Sequence, residues 1–176
     1  MKKVARLFLV VNFVLATVFN WQIPMVLANS YSIVINEIGA YEPSEVEWIE
    51  VYNYGAEEIN LEGWKFFENN TNHKLSNFHE EDLVLREYSF GIIANNAEEF
   101  LIKYPGYSGI LIDSSWGSLK ESGEEIGIRD QEGNIVEQFE YVLASEKSLE
   151  RIDFLSKDYT ANNWREHPEN NSLGQE

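Results

Sequence analysis

The feature that most constrains this chain is its punctuation. Apolar runs of four to eight residues, rich in β-branched side chains, are broken by glycine, asparagine and aspartate clusters through most of its length. Such spacing belongs to all-β sandwiches and barrels. The clearest case is "EEIGIRDQEGNIVEQFEY", residues 124–141, where two extended runs flank Asp130, Gln131, Glu132 and Gly133. Gly133 can take the positive φ that a short loop needs, so a β-hairpin is expected. "YSIVINEI" (31–38), "EWIEVYN" (47–53), "INLEGWKFFE" (59–68), "DLVLREYSFGIIANN" (82–96) and "KSLERID" (147–153) read as further strands. Gly63 marks a bend within the third of these runs.

Two stretches break the strand rhythm. At "NNAEEFLIKYPG" Asn96 and Glu99 have capping-box spacing, and Pro105 stops what can only be a short helix. "NNTNHKLSNFHEED" (69–82) is polar throughout and reads as a loop, and "ENNSLGQE" reads as a polar tail. The expected class is an all-β sandwich with one short helix.

The first 28 residues stand apart. "MKKVAR" is basic, "LFLVVNFVLATVF" is apolar, and "MVLANS" offers a cut between Ala28 and Asn29, the layout of a secretory signal peptide. Asn20, Gln22 and Pro24 interrupt any longer apolar span, which favours cleavage over retention as an anchor. The expected organisation is therefore a signal peptide over 1–28 and one domain over 29–176. Removing Lys2, Lys3 and Arg6 leaves 10 basic residues against 30 acidic ones, a net charge of −20. A surface so acidic repels phosphate backbones, so no nucleic-acid partner is expected. No later stretch is apolar enough to span a bilayer. The chain has no cysteine, so stability must come from packing, for which 24 aromatic residues supply material.

The ordered set "IVINEI" (33–38), "EWIEVYN" (47–53), "INLEGWKF" (59–66), "LKESGEEIGIRDQEGNIVEQFEY" (119–141) and "NW" (163–164) resembles the lamin tail domain family in its bacterial exported form. The resemblance implies an immunoglobulin-like β-sandwich. It further implies a noncatalytic binding or scaffolding module, with core or rim roles for Trp64 and Trp164. The family's closing Thr-Pro-Gly-like turn stands here as Asn171, Ser172, Leu173 and Gly174. Ile35, Ile49, Val51, Trp64, Ile126, Ile128 and Trp164 are the candidate core.

The functional question is what the acids do. Strand parity puts Ile49 and Val51 on one face and Trp48, Glu50 and Tyr52 on the other. Glu50 is then expected on the outer face between two aromatics, with Glu45 and Glu47 solvated near the strand start. The competing reading makes the protein a small exported hydrolase, with Glu37 and Glu50 as general acid and base, or a metal-binding domain. For a metal, His79, Glu80, Glu81 and Asp82 with His73 form the densest set, yet no third zinc ligand is indicated. The 130–134 loop is too short for calcium. Asp113-Ser114-Ser115-Trp116-Gly117 lacks a nucleophile elbow and reads as a polar turn. Trp116, Tyr104, Tyr107 and Phe78 could form an aromatic patch for a glycan or protein. Sequons at Asn69 and Asn170 matter only in a glycosylating host. No cofactor is expected, and the partner is expected to be a protein or envelope component, met by strand addition at an exposed sheet edge.

Overall fold

The computed structural model describes residues 31–79, 82–142 and 146–174. The segment expected to be a signal peptide, with Ala28 and Asn29 at its expected cut, and the pair Glu80 and Glu81 lie outside them. In chain order the elements are β1 (Ile33–Ile38), a 3-10 turn (Ser44–Val46), β2 (Trp48–Asn53), β3 (Ile59–Asn60), β4 (Lys65–Glu68), β5 (Thr71–Lys74) and β6 (Ser76–Asn77). They continue with β7 (Val84–Leu85), β8 (Ser89–Ala94), α1 (Ala97–Lys103), β9 (Ile110–Asp113), β10 (Glu125–Arg129), β11 (Ile135–Glu140), β12 (Leu149–Arg151) and β13 (Trp164–Glu166).

A seven-stranded sheet has the order β13-β12-β1-β2-β8-β9-β6 and a four-stranded sheet the order β11-β10-β4-β5, with β3 and β7 as a small third pair. All pairings are antiparallel except β8 with β9. The two large sheets close on one apolar core, which makes the fold an immunoglobulin-like β-sandwich with one short helix. Ile35, Ile49, Val51 and Trp164 come to that core from the large sheet, and Ile126 and Ile128 from the smaller one. Trp64 joins them from the turn before β4, with Tyr31 edge-on to its ring at 4.6 Å.

Local chemistry explains the pieces that shape the surface. Asn96 caps α1 by accepting from the N–H groups of Glu98 and Glu99. Gly133 has φ +87° in the β10–β11 turn, and Asp130 accepts from the Asn134 N–H and side-chain amide to close it. Gly39 is required by proximity, because a Cβ there would fall 2.4 Å from the Trp48 ring.

Three sequence expectations are corrected. The polar stretch 69–82 carries β5 and β6, edge strands of the two sheets that need no apolar pattern because little of them is buried. Residues 110–113, given no strand by pattern, form β9. The supposed polar tail is also an integral part of the structure: Asn170–Gly174 runs back over the large sheet, where Leu173 packs in a second apolar cluster with Trp48, Ile92, Phe100 and Leu111.

Candidate functional site

The large sheet's outer face holds the carboxylates in question. A bulge between Ile35 and Glu37 turns both Asn36 and Glu37 toward that face, and Glu37 then stands opposite Glu50 on β2. On its other side Glu37 faces Glu150 of β12, which faces Arg165 of β13. One row across four strands therefore reads Arg165, Glu150, Glu37, Glu50.

Glu50 is not on a wet surface. Both Glu37 and Glu50 have no solvent exposure, and Glu47 has 1%; of the three acids near the start of β2, Glu45 alone is exposed. The reason is cover from distant sequence. Glu37 accepts from the hydroxyl of Ser148, from the Ser172 N–H at 3.1 Å and from the Ser172 hydroxyl at 2.9 Å. Glu50 accepts from the Asn36 amide at 3.0 Å and the Gly174 N–H at 2.6 Å. The closing turn thus seats its backbone donors on the two carboxylates.

Glu47 has a different task. It accepts from the Trp116 indole at 2.8 Å, the Ser118 hydroxyl at 2.8 Å and the Leu119 N–H at 2.9 Å, fastening the 116–119 crossing between the sheets. A fourth carboxylate, Glu137 of β11, takes the Arg151 guanidinium at 2.7 Å and accepts from the Ile35 N–H at 2.7 Å. The Arg151 guanidinium itself lies among the rings of Phe139, Tyr159 and Trp164.

Burial raises the affinity of these groups for protons. Desolvation pushes Glu50 up to about 8, with the neighbouring Glu37 charge adding to it and the Gly174 N–H opposing it. Desolvation likewise raises Glu37 against the donors from Ser148 and Ser172, and raises Glu47 against those from Leu119, Ser118 and Trp116. An elevated carboxyl is what a general acid needs. A general acid must also reach a substrate, and here the closing turn lies over both groups.

The remaining candidates separate. His73 of β5 meets Glu68 of β4 at 3.1 Å, while His79 sits in a turn with its ring against Phe78. Among the described residues no group of three His, Asp or Glu side chains is placed to hold a metal ion. Ser114 is buried and donates to the Lys74 carbonyl. The aromatic patch is split: Trp116 packs on Phe66 inside the sandwich at 4.8 Å, whereas Tyr104, Tyr107 and Phe78 pack around α1 and the outer cluster.

Sequence reasoning missed a different aromatic group. The Tyr52 and Phe90 rings stack at 4.4 Å, and Phe154 stands edge-on to Tyr52 at 5.2 Å. With Asn36, Glu150 and Arg165 they line a concavity of about 280 Å³ on the part of the outer face that α1 and the closing turn leave open. The parity of Tyr52 was its only signal.

Searches of curated proteins and of solved structures return no match. The family comparison gives one: the sequence model of the lamin tail domain matches residues 28–143, the stretch that builds both sheets apart from β12 and β13, and the chain belongs to that family.

Proposed function

We propose that the chain is exported, with cleavage between Ala28 and Asn29, and that residues 29–176 act as a noncatalytic binding module at the cell envelope or exterior with a protein partner. The family is an immunoglobulin-like domain, typically a noncatalytic interaction module. The observation that carries the reading is the fate of the acids: the pair offered by sequence as acid and base is sealed under the closing turn, each oxygen facing protein donors. No helix among the described residues is long and apolar enough to cross a membrane.

A free sheet edge supplies the route. Of the four large-sheet edges, β6 and β13 have two and three residues and β5 is polar and ends in Lys74. β11 is six residues long, has no proline or lysine to blunt it, and shows Ile135 with 58% exposure. Such an edge accepts an extended segment. The test is two-fold. N-terminal sequencing of the exported chain should begin at Asn29. Capture from envelope and secreted fractions should retain a saturable protein partner that Ile135→Arg loses while still folded. An intact N-terminus in the exported chain sinks the cleavage. Turnover of a substrate that Glu50→Gln abolishes without unfolding sinks the binding role.

A further inference from the structure

We propose that the concavity formed by Asn36, Tyr52, Phe90, Glu150, Phe154 and Arg165 is a binding subsite for a neutral oligosaccharide. This site goes beyond the β11 edge and uses different chemistry.

The floor excludes recognition through the main chain. It is laid on β1, β2 and β8, interior strands that pair with neighbours on both sides, and the edge strand that borders it, β13 with Arg165, is only three residues long, so an extended peptide finds little sheet edge there. What the site offers is aromatic rings and planar polar groups. An aromatic ring face carries negative charge density that attracts the polarised C–H face of a sugar ring. Phe90 is half-buried and Phe154 is 36% exposed, so both rings present surface to a ligand. The opposite wall supplies a carboxamide, a carboxylate and a guanidinium, the planar donors and acceptors that pair with neighbouring hydroxyls.

Charge selects the class of glycan. Arg165 donates from Nε and Nη2 to Glu150 Oε2 at 3.4 and 3.2 Å, so the guanidinium is already neutralised by its neighbour. The whole chain carries −17. Polyanionic glycans are therefore repelled, and a neutral hexose or N-acetylhexosamine chain fits.

Size and continuity indicate a short chain. At about 280 Å³ the concavity is slightly smaller than typical ligand sites of about 300–1,000 Å³ and holds roughly one ring. Phe90 also borders a second concavity of about 580 Å³, which includes Tyr88, Tyr107 and Leu173. A linear oligosaccharide can cross Phe90 from one to the other.

Titration calorimetry on residues 29–176 of the full chain after processing, with cellotetraose, maltotetraose, chitotetraose and tetragalacturonic acid as probes, tests the assignment. Saturable binding of at least one neutral tetrasaccharide is expected, and no binding of the tetragalacturonate. Phe154→Ala and Arg165→Ala, both at exposed positions, should each weaken that binding at least about tenfold while a cooperative melting transition shows the domain still folded. Ile135→Arg should leave it intact, which separates this site from the protein-binding edge. No saturable neutral ligand, preference for the anionic probe, or binding indifferent to both substitutions would overturn the proposal.

Discussion

Two buried carboxylate sites solve the same physical problem differently. Glu137 lies between the sheets and meets a cation, Arg151, at 2.7 Å. Glu37 and Glu50 lie side by side on the outer face, and their hydrogen-bond partners are N–H and O–H donors of neutral groups. In the first site a charge is balanced by a charge. In the second, two like charges are adjacent in a dry place, and the proton becomes the cheapest counterion. The first site should therefore respond most to loss of its cation, and the second to pH and to removal of its cover.

The largest expected effect is at Arg151. Its side chain has no exposure, so Arg151→Ala strands the Glu137 carboxylate without its cation and opens a space among three aromatic rings. A loss of about 3–5 kcal/mol is expected in urea melts. Replacing both partners by Arg151→Met with Glu137→Leu should recover only part of this, because Glu137 also holds the Ile35 N–H and the Tyr159 hydroxyl. A loss under about 1 kcal/mol in the single variant would show that the pair behaves as a surface ion pair.

Truncation after Glu169 comes next. It removes the Ser172 and Gly174 donors from Glu37 and Glu50 and takes Leu173 from the outer cluster. Water can replace the lost donors once the turn is gone, so about 2–3 kcal/mol is expected rather than the sum of the bonds. A truncated domain as stable as the intact one would mean that the turn rests on the sheet without holding it.

This turn also shows where sequence reading stopped. Strand parity correctly placed Trp48, Glu50 and Tyr52 on the face away from Ile49 and Val51, but it treated that outer face as wet. What dries it is α1 and residues 170–174, which come from about 50 and about 120 positions further along the chain. No local pattern reports such a cover. The β10–β11 hairpin and the Asn96 cap were legible because their determinants lie within a few residues of each other. β5 and β6 were not, since a polar edge strand is specified by its neighbour's pairing more than by its own composition. The Tyr52–Phe90–Phe154 group was missed for a related reason: its rings come from three separate segments.

The pH response sharpens the contrast further. Glu37, Glu47 and Glu50 have raised proton affinities in the folded state, Glu50 up to about 8, against an ordinary value of 4.5. Between those limits the folded protein binds more protons than the unfolded chain, so stability falls as pH rises. The melting temperature should climb as pH is lowered from about 8 toward 5. Asp130 has the opposite shift: burial works to raise it, but the Asn134 side chain and backbone donors prevail and lower it below 3.8. Its contribution is present above that value and is lost as pH falls further. Part of the gain between pH 8 and 5 reflects weaker general repulsion in a chain of charge −17, which salt screens. The part due to the dry pair should persist in 0.5 M salt. A profile that salt flattens entirely would assign the effect to surface charge.

The smallest effect is expected two residues before Glu47, at Glu45. The two share a side-chain chemistry and lie two positions apart where the chain enters β2, yet Glu45, in the 3-10 turn, is exposed while Glu47 is enclosed by Trp116, Ser118 and Leu119. Glu45→Gln should change stability by less than about 0.5 kcal/mol, since nothing about a solvated carboxylate there is special to the fold. Glu47→Gln replaces one acceptor oxygen by an N–H₂ that faces donors on every side, and should cost about 1–3 kcal/mol. Melting both variants at pH 7 measures the contrast within one experiment. Equal costs would mean that the Glu47 enclosure contributes nothing beyond packing, and the distinction between latched and solvated acids would fail at the place where the sequence first raised it.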